Sequence, residues 1–290
     1  MRSSFTGLGR PLSYRLLVTD IDGTLLGTGG RIAARDTRAV RALMQKGVPV
    51  TLCTGRMYSG TRGIAGELKM REPVACIDGS HIVDPLTNRE LSSAPLAVEA
   101  LGGLFETLSE ARPSTFVFAG DRLYHDAGGV RYLPYLTTWS DELIEIDSVL
   151  EHEGFREQTR PAALVAIGRE EQIVSVQFAL EENFPTLLQA VCFPIHRPDF
   201  AGYWGIVIRA AQVDKGTAID WLARHYGILP EEIVVVGDWL NDVPMFRRAG
   251  RSFAMAQAPD VVKQAATDVL AADAKSGGGI AEAAERAGLL

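Results

Sequence analysis

The strongest constraint on the fold is a repeated local pattern. Short apolar runs each break off into a turn built from Asp, Gly or Thr, and helix-like stretches separate the runs. The run at 14–19 ends in Asp20-Ile21-Asp22-Gly23-Thr24, and the run at 48–53 ends in Thr54-Gly55-Arg56. Residues 74–77 lead into Asp78-Gly79-Ser80. Between the first two runs, Ile32, Val40, Leu43 and Met44 recur at roughly helical spacing, and Gly47 supplies a stop. The rhythm returns late in the chain. A helix at 217–226 stopped by Gly227 precedes Ile233-Val234-Val235-Val236, a β-branched run too short for a helix, which ends at Gly237-Asp238. A helix at 241–249 and a short strand at 253–255 follow. Strand and helix in alternation imply an α/β fold, a Rossmann-like parallel sheet with helices on its faces.

The middle of the chain breaks this rhythm. Residues 81–83 and 89–91 flank a turn, as do 114–118 and 122–125 around Ala119-Gly120-Asp121, so both read as hairpins. Further strands are expected at 162–167, 189–193 and 205–209, with helices at 96–110 and 170–183. Hairpins mixed with helices suggest an α+β module inserted into the α/β domain. The expected organisation is a flexible N-terminus at 1–13, a core of 14–84 with 210–290, and an insert at 85–209. A chain of 290 residues is long enough for two such domains.

Composition narrows the function classes. A formal net charge of -7 gives no general electrostatic help in holding nucleic acid or an anionic membrane surface. Phosphate binding would then rest on a few local cations, amides or a metal. The first thirteen residues contain no apolar signal-peptide core, and no stretch reaches the ~18 uninterrupted apolar residues of a membrane span. A cytoplasmic protein is expected, with Cys53, Cys76 and Cys192 as reduced thiols, since they form no CxxC pair.

Four motifs sit where expected strands end, which in an open parallel sheet is the ligand-binding edge. Asp20 and Asp22 are two apart on an extended segment, so both can face one reaction centre. One carboxylate can attack phosphorus as a nucleophile while the other carries a proton to the leaving oxygen. Alone, the pentapeptide is equally an Asx turn. Thr54-Gly55-Arg56 offers a hydroxyl and amides at a strand-to-helix turn, an anion nest or a simple helix cap. Lys215, before a helix, can sit beside a phosphate, although a lone lysine is more often solvated. Gly237-Asp238-Trp239-Leu240-Asn241-Asp242 places two carboxylates and an amide after a buried strand. Asp238 suits a magnesium ion as a direct ligand, with Asp242 as a ligand or water anchor. The alternative is acidic residues complementing a helix dipole. The four motifs account for one another. Transfer of a phosphoryl group to a carboxylate brings anions together and needs a metal and a cation. Asp20, Asp22 (through its backbone carbonyl) and Asp238 can form the metal site, and Lys215 and Thr54 can hold the phosphate oxygens.

In this order the motifs resemble those of the haloacid dehalogenase superfamily of phosphotransferases. The insert resembles the type IIB cap of the Cof-like hydrolases, as does the tail from Ala254 to Pro259 with Val262-Lys263. The resemblance implies an aspartyl-phosphate on Asp20, acid/base work by Asp22, and Mg2+ held by Asp20, Asp22 and Asp238 with Asp242 assisting. It further implies phosphate contacts from Thr54, Gly55 and Lys215, Asn241 near the phosphate or metal loop, and Arg56 directed toward the cap. One departure is Asp78-Gly79, where such proteins often carry Asn-Gly; the extra carboxylate either alters substrate preference or makes the same turn.

The remaining features carry bland readings. No histidine pair has ligand spacing, which leaves His81 and His125 as weak cap-side candidates. Gly277-Gly278-Gly279 reads as the entry to the last helix, and Tyr132, Tyr135 and Trp139 read as packing residues. The expected activity is hydrolysis of a small phosphorylated metabolite such as a sugar phosphate. Two alternatives stand beside it: a phosphotransferase such as a hexose phosphomutase, and a non-catalytic phosphometabolite sensor.

Overall fold

The computed structural model describes residues 14–152, 155, 160–195 and 197–290, so the segment expected to be flexible at 1–13 lies outside the described residues. The elements begin with β1 (Leu16–Thr19), α1 (Ala34–Gln45), β2 (Val50–Leu52), α2 (Arg62–Leu68), β3 (Val74–Cys76), β4 (His81–Asp84) and β5 (Arg89–Ser93). They continue with α3 (Val98–Ala111), β6 (Ser114–Ala119), β7 (Arg122–His125), α4 (Leu133–Leu136), β8 (Leu143–Glu145), β9 (Ala163–Arg169), α5 (Glu170–Asn183), β10 (Leu188–Pro194) and β11 (Tyr203–Ala210). The last are α6 (Lys215–Tyr226), β12 (Ile233–Gly237), α7 (Val243–Arg248), β13 (Arg251–Ala254), α8 (Asp260–Ala265), β14 (Asp268–Val269) and α9 (Gly279–Arg286). The described residues fall into two compact units, one of 14–51 with 219–290 and one of 52–218.

The first unit is built on a five-stranded sheet in the order β14-β13-β12-β1-β2. β1 runs parallel to β12, with Leu16 opposite Ile233 and Thr19 opposite Val236, and β12 runs parallel to β13. Every residue of β1 and β12 is buried. This is why both read as continuous apolar runs rather than alternating ones: a parallel sheet is covered on both faces. α1 buries Val40 and Leu43, and its Asp36, fully buried, accepts hydrogen bonds from the amides of Gly278 (2.8 Å) and Ala281 (3.0 Å). A carboxylate of α1 thus caps α9, satisfying amides that have no partner within that helix. Gly277 and Gly278 enter α9 with φ of +63° and +88°, the left-handed region that glycine adopts without strain.

The second unit holds a six-stranded sheet in the order β10-β11-β9-β6-β7-β8 and a smaller β3-β4-β5 sheet. The larger sheet is antiparallel except for the β7–β8 pair. Leu101, Leu104 and Phe105 of α3 and Ile173 and Val176 of α5 share one apolar core with Leu164 of β9 and Ile206 of β11. This is the expected α+β module. The expected third parallel strand differs. β3 pairs antiparallel with β4, and its parallel contact is the single bridge Cys53–Ala75. The tight turn at 77–79 folds the chain straight back, so β4 takes one edge of β3. Ile77 and Asp78 there have φ of +49° and +50°. Tyr132 and Trp139 pack edge-on against Phe116 and Phe118, as expected of packing residues. Burial pushes the Cys76 thiol well up, and that of Cys192 to about 11, which suits inert thiols. Among the described residues, no helix is long and apolar enough to cross a membrane.

Candidate active site

Two neighbouring parallel strands of the first unit end in acids. The β1–β12 ladder continues one step past β1, because the Asp20 amide donates to the Val236 carbonyl at 2.9 Å. Asp20 therefore leaves the sheet beside the point where β12 delivers Asp238. The chain then reverses: the Leu26 amide donates to the Ile21 carbonyl (2.8 Å) and the Gly23 amide to the Leu26 carbonyl (3.1 Å). Gly23 has φ of +79°, and a Cβ there would lie 2.2 Å from Asp238 Oδ2. Only glycine lets this turn lie against the carboxylate. Thr24 Oγ1 donates to Asp238 Oδ1 at 3.1 Å, a buried bond that joins the first and fourth motifs.

Asp242 organises the turn after β12. Its Oδ2 accepts from the amides of Asp238 (2.8 Å) and Trp239 (2.9 Å). Gly237 permits this, since a Cβ there would lie 2.4 Å from the Asp242 carboxyl carbon. One carboxylate oxygen each from Asp20, Asp238 and Asp242 lies within 4.8 Å of the others, and all three residues are buried. Asp22 is exposed and is not one of the three. Asn241 is half-buried in the short helical turn Leu240–Asp242, while Trp239 and Leu240 are exposed beside it. An all-oxygen set of close, buried carboxylates fits a hard divalent cation such as Mg2+, which prefers oxygen ligands.

A residue to which the sequence assigned no role, although it lies in the family-like tail from Ala254 to Pro259, joins this cluster. Gln257 Nε2 donates to the Gly23 carbonyl (2.7 Å) and to Asp238 Oδ2 (3.2 Å). Its only sequence signal was its place in the tail after β13.

The second unit holds the other motifs. The Thr54 amide donates to the Ala75 carbonyl (2.9 Å), and the Asp78 amide donates back to the Thr54 carbonyl (2.8 Å). Thr54 Oγ1 accepts from the Arg56 amide at 3.1 Å. Thr54-Gly55-Arg56 is thus stapled to the 75–78 turn. It does not open a helix as expected, since α2 starts only at Arg62. The Arg56 guanidinium donates to the Gly60 carbonyl at 3.2 Å. Lys215, with no exposed surface, stands at the start of α6. Asp214 caps that helix, its Oδ1 accepting from the Thr217 amide at 2.9 Å.

Asp78 is buried in its left-handed turn and pairs with the guanidinium of Arg209, on β11. Arg209 reaches Gln189 Oε1 at 3.4 Å, and its buried Nε has no acceptor. A cavity of about 500 Å3 lies elsewhere within 52–218, lined by Tyr58, His81, Glu90, Phe118 and Asp121 among others, and by none of the four motifs. Burial pushes His81 below and Asp121 above their ordinary values.

The family model for haloacid dehalogenase-like hydrolases matches residues 17–283. The phosphoglycolate phosphatase of Methanopyrus kandleri is 26% identical over 271 residues, covering 92% of this chain and 94% of that protein. The Bacillus subtilis phosphatase YwtE, named for 5-amino-6-(5-phospho-D-ribitylamino)uracil, is 27% identical over 288 residues, covering 91% and 95%. A solved haloacid dehalogenase-like hydrolase from Bacteroides thetaiotaomicron superposes with a TM-score of 0.79 at 22% identity, covering 94% and 99% of the two chains, and so shares the fold.

Proposed function

The chain belongs to the family of haloacid dehalogenase-like hydrolases, and on that premise we propose that it hydrolyses the phosphate monoester of a small metabolite through a phosphoryl group carried on Asp20. Its reaction class is that of a phosphoric monoester hydrolase, as the matched phosphatases are. The observation that supports the finer reading is the convergence of buried Asp20, Asp238 and Asp242 at the ends of β1 and β12.

In this reading Asp20 supplies the attacking carboxylate oxygen, and the bond from phosphorus to the leaving oxygen breaks as the new one forms. Asp22, exposed in the same turn, gives its proton to the leaving alkoxide and then takes one from the water that attacks the phosphoryl-Asp20 bond. Asp20, the backbone of Asp22, Asp238 and Asp242 form the binding site for Mg2+. When bound, that ion offsets the negative charge shared by the carboxylates and the phosphoryl oxygens. Thr24 and Asp242 hold this set in place, the first by its bond to Asp238 and the second by its bonds to the β12 turn. The order of the motifs, rather than measured geometry, extends the proposal to Thr54, Gly55, Arg56, Lys215 and Asn241 as groups that hold the phosphate.

The core is taken as 14–84 with 210–290, and the insert at 85–209 as the module that selects the leaving group. A sugar phosphate is the proposed substrate type and the cytoplasm the proposed location, where phosphorylated metabolites occur. The test is phosphate release from a panel of small phosphomonoesters with and without Mg2+. Release from at least one of them is expected, lost on chelation and lowered by about a hundredfold or more in Asp238→Ala. Turnover that is indifferent to chelation would contradict the metal assignment.

A further inference from the structure

We propose that Gln257 is a positioning residue for the divalent-cation site: its amide NH2 fixes the Asp238 carboxylate against the Gly23 turn, so metal affinity depends on a side chain that need not touch the metal. The inference rests on the functional reading above and deepens it.

The orientation of this amide follows from its partners. Gln257 Oε1 accepts from the Ala274 amide at 3.0 Å. A backbone N–H can only donate, so the oxygen end of the amide must face Ala274. The NH2 end then faces the Gly23 carbonyl and Asp238 Oδ2, and both of those are acceptors. The three contacts agree on one orientation, and a flipped amide would break all of them.

The loop that holds Gln257 is itself fixed. Asp273 Oδ1 accepts from the amides of Lys275 (2.9 Å) and Ser276 (2.7 Å). The Ala274 carbonyl accepts from the Thr28 amide at 2.7 Å, and the Ala272 carbonyl from the Ala256 amide at 3.0 Å. Gln257 thus ties three chain segments together: the turn after β1, the end of β12 and the 272–276 loop. Its side chain loses little further freedom when a cation binds.

The consequence falls on Asp238. Oδ1 is held by Thr24 at 3.1 Å and Oδ2 by Gln257 at 3.2 Å. The carboxylate cannot turn about its own axis without breaking both bonds. The directions in which its oxygens can meet a cation are therefore fixed, which is how outer partners of metal-binding carboxylates raise affinity. Gln257 is exposed, so these bonds do not serve the apolar core. Its substitution should therefore leave the fold in place, which makes the effect on metal separable from an effect on stability.

The test is calorimetric titration of Mg2+ into the wild-type protein, Gln257→Ala and Gln257→Asn, with no substrate present. The unfolding temperature of each is measured with and without the ion. In Gln257→Ala the dissociation constant for Mg2+ is expected to rise about tenfold or more. The unfolding temperature without metal should stay close to that of the wild type, and the rise on adding Mg2+ should shrink. Gln257→Asn keeps an amide but is one methylene shorter. It cannot span all three partners and should weaken in the same direction. Variants that bind Mg2+ within twofold of the wild type overturn the inference while leaving the phosphatase reading intact. A wild-type protein that binds no Mg2+ overturns the metal reading and this inference with it.

Discussion

At the scale of single residues, the proposed catalytic edge depends on a glycine that makes room for a carboxylate. Gly23 has a positive φ and no room for a side chain, because a Cβ would lie 2.2 Å from Asp238 Oδ2. Gly23→Ala is expected to cost about 1–3 kcal/mol of stability through backbone strain. It should lower kcat/KM by about a hundredfold, because the Asp238 carboxylate must move by the order of an ångström. Thermal unfolding and phosphate release measure the two effects separately, and a variant with wild-type turnover would show that the close approach is incidental. That Asp20, Asp238 and Asp242 would come together was legible in the sequence, because each follows an apolar run that reads as a strand of one parallel sheet. The roles of Gln257 and Asp36 were not. Each works through backbone groups far away in sequence, the amides of Gly278 and Ala281 in the case of Asp36. No local pattern marks a side chain whose partners arrive only through tertiary contact.

At the scale of elements, the turn at 77–79 and strand β11 depend on each other. Asp78 and Arg209 are both buried and paired, and the Asp78 amide bonds the Thr54 carbonyl. The carboxylate that departs from the more usual Asn therefore has its own counter-charge within this chain. Removing one partner of a buried ion pair leaves the other charge stranded, which costs far more than losing both. Arg209→Met is expected to destabilise the protein by about 3–5 kcal/mol, and Asp78→Asn with Arg209→Met to recover most of that loss. Chemical denaturation of the two single variants and the double variant checks this, and additive losses would show that the pair is not coupled. The Asp-Gly turn was plain in the sequence, but Arg209 lies 131 residues away and read as an ordinary strand residue. The same turn explains why β3 has an antiparallel neighbour in β4 beside its parallel contact with Cys53. A short apolar run does not say what lies along its second edge, and the hairpin that follows supplies it.

At the scale of the whole molecule, the alternation of strand and helix fixed the class of the fold, and the hairpins in the middle marked the α+β module. The short strands β8 and β14 went unread, because two or three residues at a sheet edge carry no periodicity. The choice of substrate is not legible for a different reason. It depends on the shape of a surface assembled from many segments, whereas the proposed chemistry rests on a few acids that follow particular strands. The proposed reaction requires Asp20 to become phosphorylated. The direct measurement is to mix enzyme with a turned-over phosphomonoester, quench in acid within a single turnover, and map the peptides by mass spectrometry after borohydride reduction. Homoserine in place of Asp20, formed as borohydride reduces the acyl phosphate and releases inorganic phosphate, is the expected result. Asp20→Asn should show neither the adduct nor turnover. An active enzyme that never carries phosphate on Asp20, or an adduct that persists in Asp20→Asn, would contradict the account.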